Sequence, residues 1–403
     1  MTRSSRAPRR ASRTVARALG ALVAVVLLTG CSAAAEQLTP KQSWVPKPEG
    51  APPAQEPVPD LPGQTAPEPT QPSQGPQSPG QPDDPSVVAT GLRLPWGLAV
   101  LPDNTAIVGE RVSGRILRVQ AERAPVKQVM KIGGLDASGD GGLLDLALSP
   151  AYREDGWVFA YITTRTDNRV IRFELGGKVT PVLTGIPRGR TGNGGRLAFG
   201  PDGLLYVGTG DAGKPAQAAD LRSLAGKVLR VTTFGNPAPG NPNPASPIFT
   251  RGHSNVAGLC VDGRGRAYDP EAGKTADEVN KLTGAGNYGW PQTAKAAGGT
   301  APVRAMDPAT TGPGGCTILE RGMFVAALRG QRLWAIPLDD SGTAGTPRAV
   351  LRGTYGRLRT VVAAADGALW LTTSNRDGQG KPVPQDDRVI RILPPTNTTN
   401  SPA

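Results

Sequence analysis

The sequence predicts an all-β fold, a six-bladed β-propeller preceded by a lipoprotein signal peptide and a disordered Pro-rich stalk. Composition is the first observation behind this. The chain has 403 residues with 53 Gly and 41 Pro and is 19% charged, which suits many short strands joined by tight turns and not a helical bundle. Repetition is the second. VLPDNTAIVGER, LSPAYREDGWVFAYIT, FGPDGLLYVGTGD, VDGRGRAYD, LRGQRLWAIPL and AADGALWLTTSN each run from turn residues into a short β-rich strand. They recur irregularly at roughly 50 residues, the spacing of propeller blades, whose radial packing leaves few open edges. A pair of β-sandwiches is the competing arrangement. The third observation is the N-terminus, where a charged segment and an apolar run precede a cysteine.

In chain order, residues 1–30 read as a signal peptide. Arg3, Arg6, Arg9, Arg10, Arg13 and Arg17 form its charged region, and ALGALVAVVLL is its apolar core. LTGC places Cys31 as the lipidated residue of a lipobox, whose acyl chains anchor a protein to a membrane without a spanning helix. The expected location is therefore extracytoplasmic, on a bacterial cell membrane. Residues 31–86, rich in Pro, Gln, Ala and Glu, bury too little apolar surface to offset ordering entropy and read as a disordered linker. Residues 87–394 carry the blades, with AADLRSLAG (218–226) as a helical turn or short helix. Residues 395–403 read as a disordered tail.

The formal charge is +12, and residues 1–30 contribute six Arg and no acid, which leaves +6 on the remainder. That balance suits an acidic small molecule or a polyanionic surface. No basic run with interleaved aromatics is present, which argues against nucleic acid. Cys260 and Cys316 remain after lipidation of Cys31; in an oxidising compartment they suggest a disulfide, with two buried thiols as the alternative. With His253 as the sole histidine, no Ser/His/Asp triad with a second His and no metal cluster built on histidines or paired cysteines is expected. His253 itself reads as a hydrogen-bonded scaffold residue.

Several motifs in series, LPWGLAVLPD with GER nearby, GDGGLLDLALSPAY, NGGRLAFGPDGLLYVGTGD, GKVLRV, GHSNVAGL, DEVN with NYGWP, FVAALRGQRLW and GRLRTV, resemble the quinoprotein glucose/sorbosone dehydrogenase family over most of 90–393. The lipobox, stalk and cysteines are similar to its actinobacterial lipoprotein branch. The resemblance implies a six-bladed propeller binding pyrroloquinoline quinone (PQQ) and calcium, and oxidation of sugar or alcohol C–OH groups. It aligns Arg357 and Arg359 with paired cofactor arginines, whose alternate positions on a strand would let both guanidinium groups meet one carboxylated ligand. Arg329 falls where the family has a cofactor-binding Lys, Asn255 matches a ligand beside the cofactor, and Asp140 replaces a Gln or Glu near the quinone.

Other family positions are changed. Gly192 stands where the family has its catalytic His base, and Ser254 where it has an Arg. The calcium loop reads YDPEAGKTA, with Asp269, Glu271 and Asp277 as the candidate cation ligands. Two functional readings result. One is a membrane-anchored PQQ-type sugar dehydrogenase whose base is replaced; the other is a catalytically degenerate propeller that binds an anionic ligand, a glycan or an envelope protein.

Overall fold

Each turn–strand unit folds into part of a four-stranded antiparallel sheet. The computed structural model describes residues 84–393 apart from 294, 296 and 297. Six such sheets are present, each made of four strands in sequence order except the last. Their innermost strands are Pro95–Val100, Leu143–Leu148, Gly194–Phe199, Cys260–Val261, Pro313–Leu319 and Leu358–Ala363, and these define blades 1 to 6. The sixth blade takes its outer strand from the start of the domain, because Val87–Ala89 pairs with Val389–Ile392. That pairing closes the ring between the two ends of the domain.

The alternation seen in sequence has a packing counterpart. Six buried apolar clusters lie one at each junction between neighbouring blades. Leu143, Ile162 and Phe173 of blade 2 meet Ile107 and Ile116 of blade 1, for example. Polar turns occupy the loop ends. In FGPDGLLYV, Gly203 takes φ +75°, Asp202 Oδ1 accepts the Leu204 N–H at 3.1 Å, and the chain reverses into the next strand. Cys260 and Cys316 are disulfide-bonded with Cα atoms 5.7 Å apart, joining the inner strands of blades 4 and 5. At that end the central channel is a cavity of about 310 Å³ lined by all six inner strands.

The other end of the channel is shaped by bulges. In blades 1, 2, 3, 5 and 6 the pairing register slips at the first residues of the inner strand. A bulge leaves a residue unpaired and re-aims its side chain. In blade 1 that residue is Trp96, between Pro95 and Gly97. In blade 6 it is Arg359, between Leu358 and Thr360.

Two local expectations need correction. The helical turn is Pro215–Ala218, not 218–226. Pro215 supplies the fixed φ that starts it, and the buried Lys227 Nζ then takes the carbonyls of Gln217, Ala218 and Ala225, so the chain beyond stays a loop. The other short helix, Tyr152–Asp155, stands where a loop was expected and ends at Gly156 with φ +64°. The linker boundary also moves, because Asp84–Ser86 are docked on the propeller. Asp84 Oδ2 accepts the Tyr355 hydroxyl at 2.7 Å, and its carbonyl accepts Arg123 at 2.8 Å. The signal peptide, Cys31, the rest of the linker and the expected tail lie outside the described residues. Among the described residues no helix is long and apolar enough to cross a membrane.

Candidate functional site

Arg357 and Arg359 converge. Their guanidinium groups reach the same oxygen, Asp377 Oδ2, at 2.8 and 3.3 Å. Simple strand alternation is not how they meet. Arg357 precedes the inner strand of blade 6, and Arg359 is the bulge residue just inside it. Arg359 lies 3.7 Å from the centroid of the Trp96 ring, and Arg111 lies 5.1 Å from the same ring, so one indole is flanked by two cations. Burial first, then the neighbouring cations Arg196, Arg357 and Arg111, lowers the Arg359 guanidinium to about 9 against the opposing pull of Asp377. Arg357, Arg359, Arg111 and Arg196 gather here with Asp377, Asp140 and Asp145 as the facing acids, a small positive excess of the kind that suits an anion.

Arg196 forms the floor. Its Nε donates to the Ala257 carbonyl at 2.7 Å, and its Nη1 to Thr360 Oγ1 at 3.0 Å. Nη1 also stands 3.4 Å from Asp145, whose other oxygen accepts the Leu197 N–H at 3.0 Å. Burial pushes Asp145 up to about 6 although Arg196 pulls the other way. Groups from blades 2, 3 and 6 and the chain entering blade 4 are thus tied across the channel below the arginines.

Asp140 lies beside Gly192. Its Oδ2 accepts the Gly192 N–H at 2.8 Å, and its Oδ1 is held by the Asn193 side-chain amide. Asn193 is fixed in turn by Asn168 and by the Gly189 N–H, each at 3.0 Å. Burial raises the Asp140 pKa above its ordinary value against these hydrogen bonds and Arg111, the direction that makes a carboxylate a better proton acceptor. Gly192 has φ +70°, and a Cβ there would stand 2.5 Å from Asp211 Oδ1. Asn255 Oδ1 accepts the Gly194 N–H at 2.8 Å, and the Ser254 carbonyl accepts Asp211 N–H at 2.8 Å. Asp140, Gly192 and Asn255 are therefore one connected group, completed by Asp211, which also accepts the Trp290 indole N–H at 2.9 Å.

Arg329 is placed differently. Its Nη1 donates to the Pro308 carbonyl at 2.6 Å, and it acts electrostatically on Asp277, while its neighbour Leu328 offers a carbonyl to Arg357 at 3.4 Å. Arg329 thus sits beside the arginine pair, with its own described contacts directed elsewhere.

The glucose/sorbosone dehydrogenase family model matches residues 92–383. The chain belongs to that family. Against the PQQ-bound aldose sugar dehydrogenase of Streptomyces coelicolor it is 43% identical with a TM-score of 0.73, covering 76% of this chain and 95% of that one. A putative glucose dehydrogenase of Thermus thermophilus is 37% identical with a TM-score of 0.69, covering 76% and 98%. Quinoprotein glucose dehydrogenase B of Acinetobacter calcoaceticus is 32% identical over 252 residues, 52% of this chain and 53% of that enzyme's length. The match thus spans about half of that relative.

The two cofactors implied by the family fare differently against these residues. PQQ, a flat polycarboxylate, suits forked guanidinium donors beside an aromatic plane, and Arg357, Arg359 and Arg111 with Trp96 provide them. Asp377 now holds the Arg357–Arg359 pair and would have to yield one or both. Calcium of the family's kind does not fit the rewritten loop. Asp277 Oδ2 accepts the Gly312 N–H at 2.7 Å and does not join the other two acids. Asp269 and Glu271 instead turn onto the buried His253, 2.9 and 3.2 Å from its Nδ1.

That grouping corrects the expectation that no histidine-based cluster is possible, since one histidine and two carboxylates meet. His253 is also held from its other side, with Nε2 2.8 Å from Thr250 Oγ1 and its ring stacked on Tyr288. Burial opposes its charge, but Glu271 and Asp269 outweigh that and raise it to about 9.

Trp96, Arg111, Asp145, Arg196, Asp211 and Asp377 had no assigned role in the sequence. Trp96, Arg111, Asp145, Arg196 and Asp211 lie in motifs that carried the resemblance, so the available signal was proximity to those motifs.

Proposed function

We propose that this propeller binds PQQ or a comparable aromatic polycarboxylate at its arginine-lined mouth, and oxidises sugars far more slowly than an enzyme with an imidazole base. The convergence of Arg357 and Arg359 on a single carboxylate oxygen carries this reading. When bound, the quinone supplies the hydride acceptor. Arg357, Arg359 and Arg111 hold its carboxylates, Trp96 offers a stacking face, and the Arg196–Asp145 floor limits how deep a ligand descends. Gly192 has no group to take the hydroxyl proton of a sugar. Two carboxylates stand beside it, Asp140 bonded to its N–H and Asp211; Asp140, whose burial raises its proton affinity, is the acceptor proposed here and is weaker than imidazole. Loss of a well-placed base costs ~10²–10⁴ in rate, and that is the deficit proposed here.

A lipid anchor at Cys31 would present the propeller outside the bacterial cell membrane, facing sugars, glycans or envelope proteins. Its support is the lipobox sequence LTGC. The function is tested by titrating the protein with PQQ, with and without calcium, then offering aldoses and an electron-accepting dye. Cofactor uptake with slow dye reduction, slower still in Asp140→Asn, supports the proposal. Failure to take up PQQ counts against it and leaves the propeller as a binding module for another anion.

A further inference from the structure

The cluster behind Ser254 has a chemistry separate from the mouth. Asp269 and Glu271 are alternate residues on Ala267–Ala272 and so share a face of blade 4. Directly across the ladder they meet Asn280 and Glu278. His253 enters the same space from the loop after blade 3. Asp269, Asn280 and His253 are each 0% exposed and Glu271 is 3% exposed. One donor atom each from His253, Asp269 and Glu271 lie within 4.8 Å of one another.

Hydrogen bonding leaves this group unfinished. Neither oxygen of Asp269 receives a hydrogen bond, and Asn280 Oδ1 has no donor either. Nδ1 of His253 is its one close partner, 2.9 Å from Oδ2, and that nitrogen is shared with Glu271 at 3.2 Å. Buried orphan oxygens of this kind are rare and costly. With Glu278 the cluster carries three carboxyl groups against one imidazole, and none of their described contacts is to Lys or Arg. Nε2 meets Thr250 Oγ1 at 2.8 Å, an outer hydrogen bond that fixes the ring as in metal-bound histidines; Nδ1 faces the two carboxylates, and the proton it holds there would leave when a metal ion binds.

We propose that His253, Asp269 and Glu271, backed by Asn280, bind a divalent first-row transition-metal ion inside blade 4. The imidazole nitrogen and the compact spacing favour such an ion over calcium, which takes six to eight oxygens in a looser shell. The 2.9 and 3.2 Å separations from Nδ1 need to open only slightly to reach the ~3.4 Å expected between ligands ~2.1 Å from a common ion. Glu278, only partly buried, stands across the ladder from Glu271 at the edge of the site. The ion steadies the mouth from behind, because Glu271 Oε2 accepts the Ser254 N–H at 3.2 Å and the Ser254 carbonyl holds Asp211.

The test uses Co²⁺ and the full chain without PQQ, refolded with Co²⁺, Zn²⁺ or Ca²⁺, dialysed, and analysed for metal. One Co²⁺ or Zn²⁺ per chain is expected, with X-ray absorption at the cobalt edge showing an imidazole in the first shell. Asp269→Asn should lose it. Thr250→Val, which keeps the side-chain volume, should weaken retention by ~10–100-fold, the usual effect of removing an outer-shell partner. Asp277→Asn should retain it in full. No stoichiometric cobalt, an all-oxygen shell, preference for calcium, or loss in Asp277→Asn would each overturn the proposal.

Discussion

Placing histidine at position 192 tests whether the backbone there can carry the imidazole base that the family resemblance implies. Gly192 has φ +70°, and a Cβ there lies 2.5 Å from Asp211 Oδ1 and 3.1 Å from the backbone nitrogens of Ala212 and Gly213. A left-handed conformation costs a non-glycine residue ~1–2 kcal/mol. Asp211 must also move, and its Oδ1 accepts Gly213 N–H at 2.8 Å while Oδ2 accepts the Trp290 indole. Losing one or two such bonds adds ~1–2 kcal/mol. Gly192→His should therefore destabilise by ~2–4 kcal/mol, lowering the melting temperature by ~3–6 °C for a domain of this size. Calorimetry measures that directly, and dye reduction with PQQ and an aldose shows whether the imidazole works. The expected variant is less stable and no faster than the parent. A Gly192→His protein that melts with the parent and oxidises aldoses 10² times faster would refute the backbone argument.

Other outcomes follow from single contacts. Asp377→Asn removes the carboxylate held by Arg357 and Arg359, so PQQ binding, read by fluorescence quenching, should tighten by ~10–100-fold, the worth of one charged hydrogen bond; weaker binding would make Asp377 a positioning residue instead. Reducing Cys260–Cys316, or replacing both with Ser, releases a loop of 56 residues and should lower stability by ~4 kcal/mol in the chain-entropy treatment. An unchanged denaturation midpoint would show that blades 4 and 5 are held by packing alone. Asp145 is raised to about 6 from 3.8, so the folded state holds its proton more tightly than the unfolded chain. Its contribution is present at low pH and is lost as pH rises from about 4 to 6, by roughly 3 kcal/mol. Urea unfolding across that range should show the fall, and Asp145→Asn should flatten it.

The parts legible in the sequence were those set by local chemistry. Turns such as PDG and aliphatic runs such as LLDLAL specify strands wherever they fall, so the blades could be read without knowing their neighbours. Arg357 and Arg359 were legible as a pair through GRLRTV. Their actual meeting depends on a bulge in blade 6, and a bulge is a property of two strands in register, invisible in either alone. Asp377 was missed for a related reason, since it lies in a different loop and becomes a partner only when that loop folds over the mouth. His253 shows the limit most plainly. One histidine in a sequence is no metal motif, and only the ladder pairing of Ala267–Ala272 with Asp277–Leu282 gathers acids around it. Asp277, adjacent to Glu278 in the same motif, points to the opposite face because strand side chains alternate.

The most direct test is the affinity of the protein for PQQ in the double variant Arg357→Ala/Arg359→Ala, measured beside the parent in the same buffer. The shared mouth predicts at least ~10²-fold weaker binding, from the loss of two charged partners. Equal affinity in the two proteins would contradict it, and would place any anion site of this propeller somewhere other than the open end of its channel.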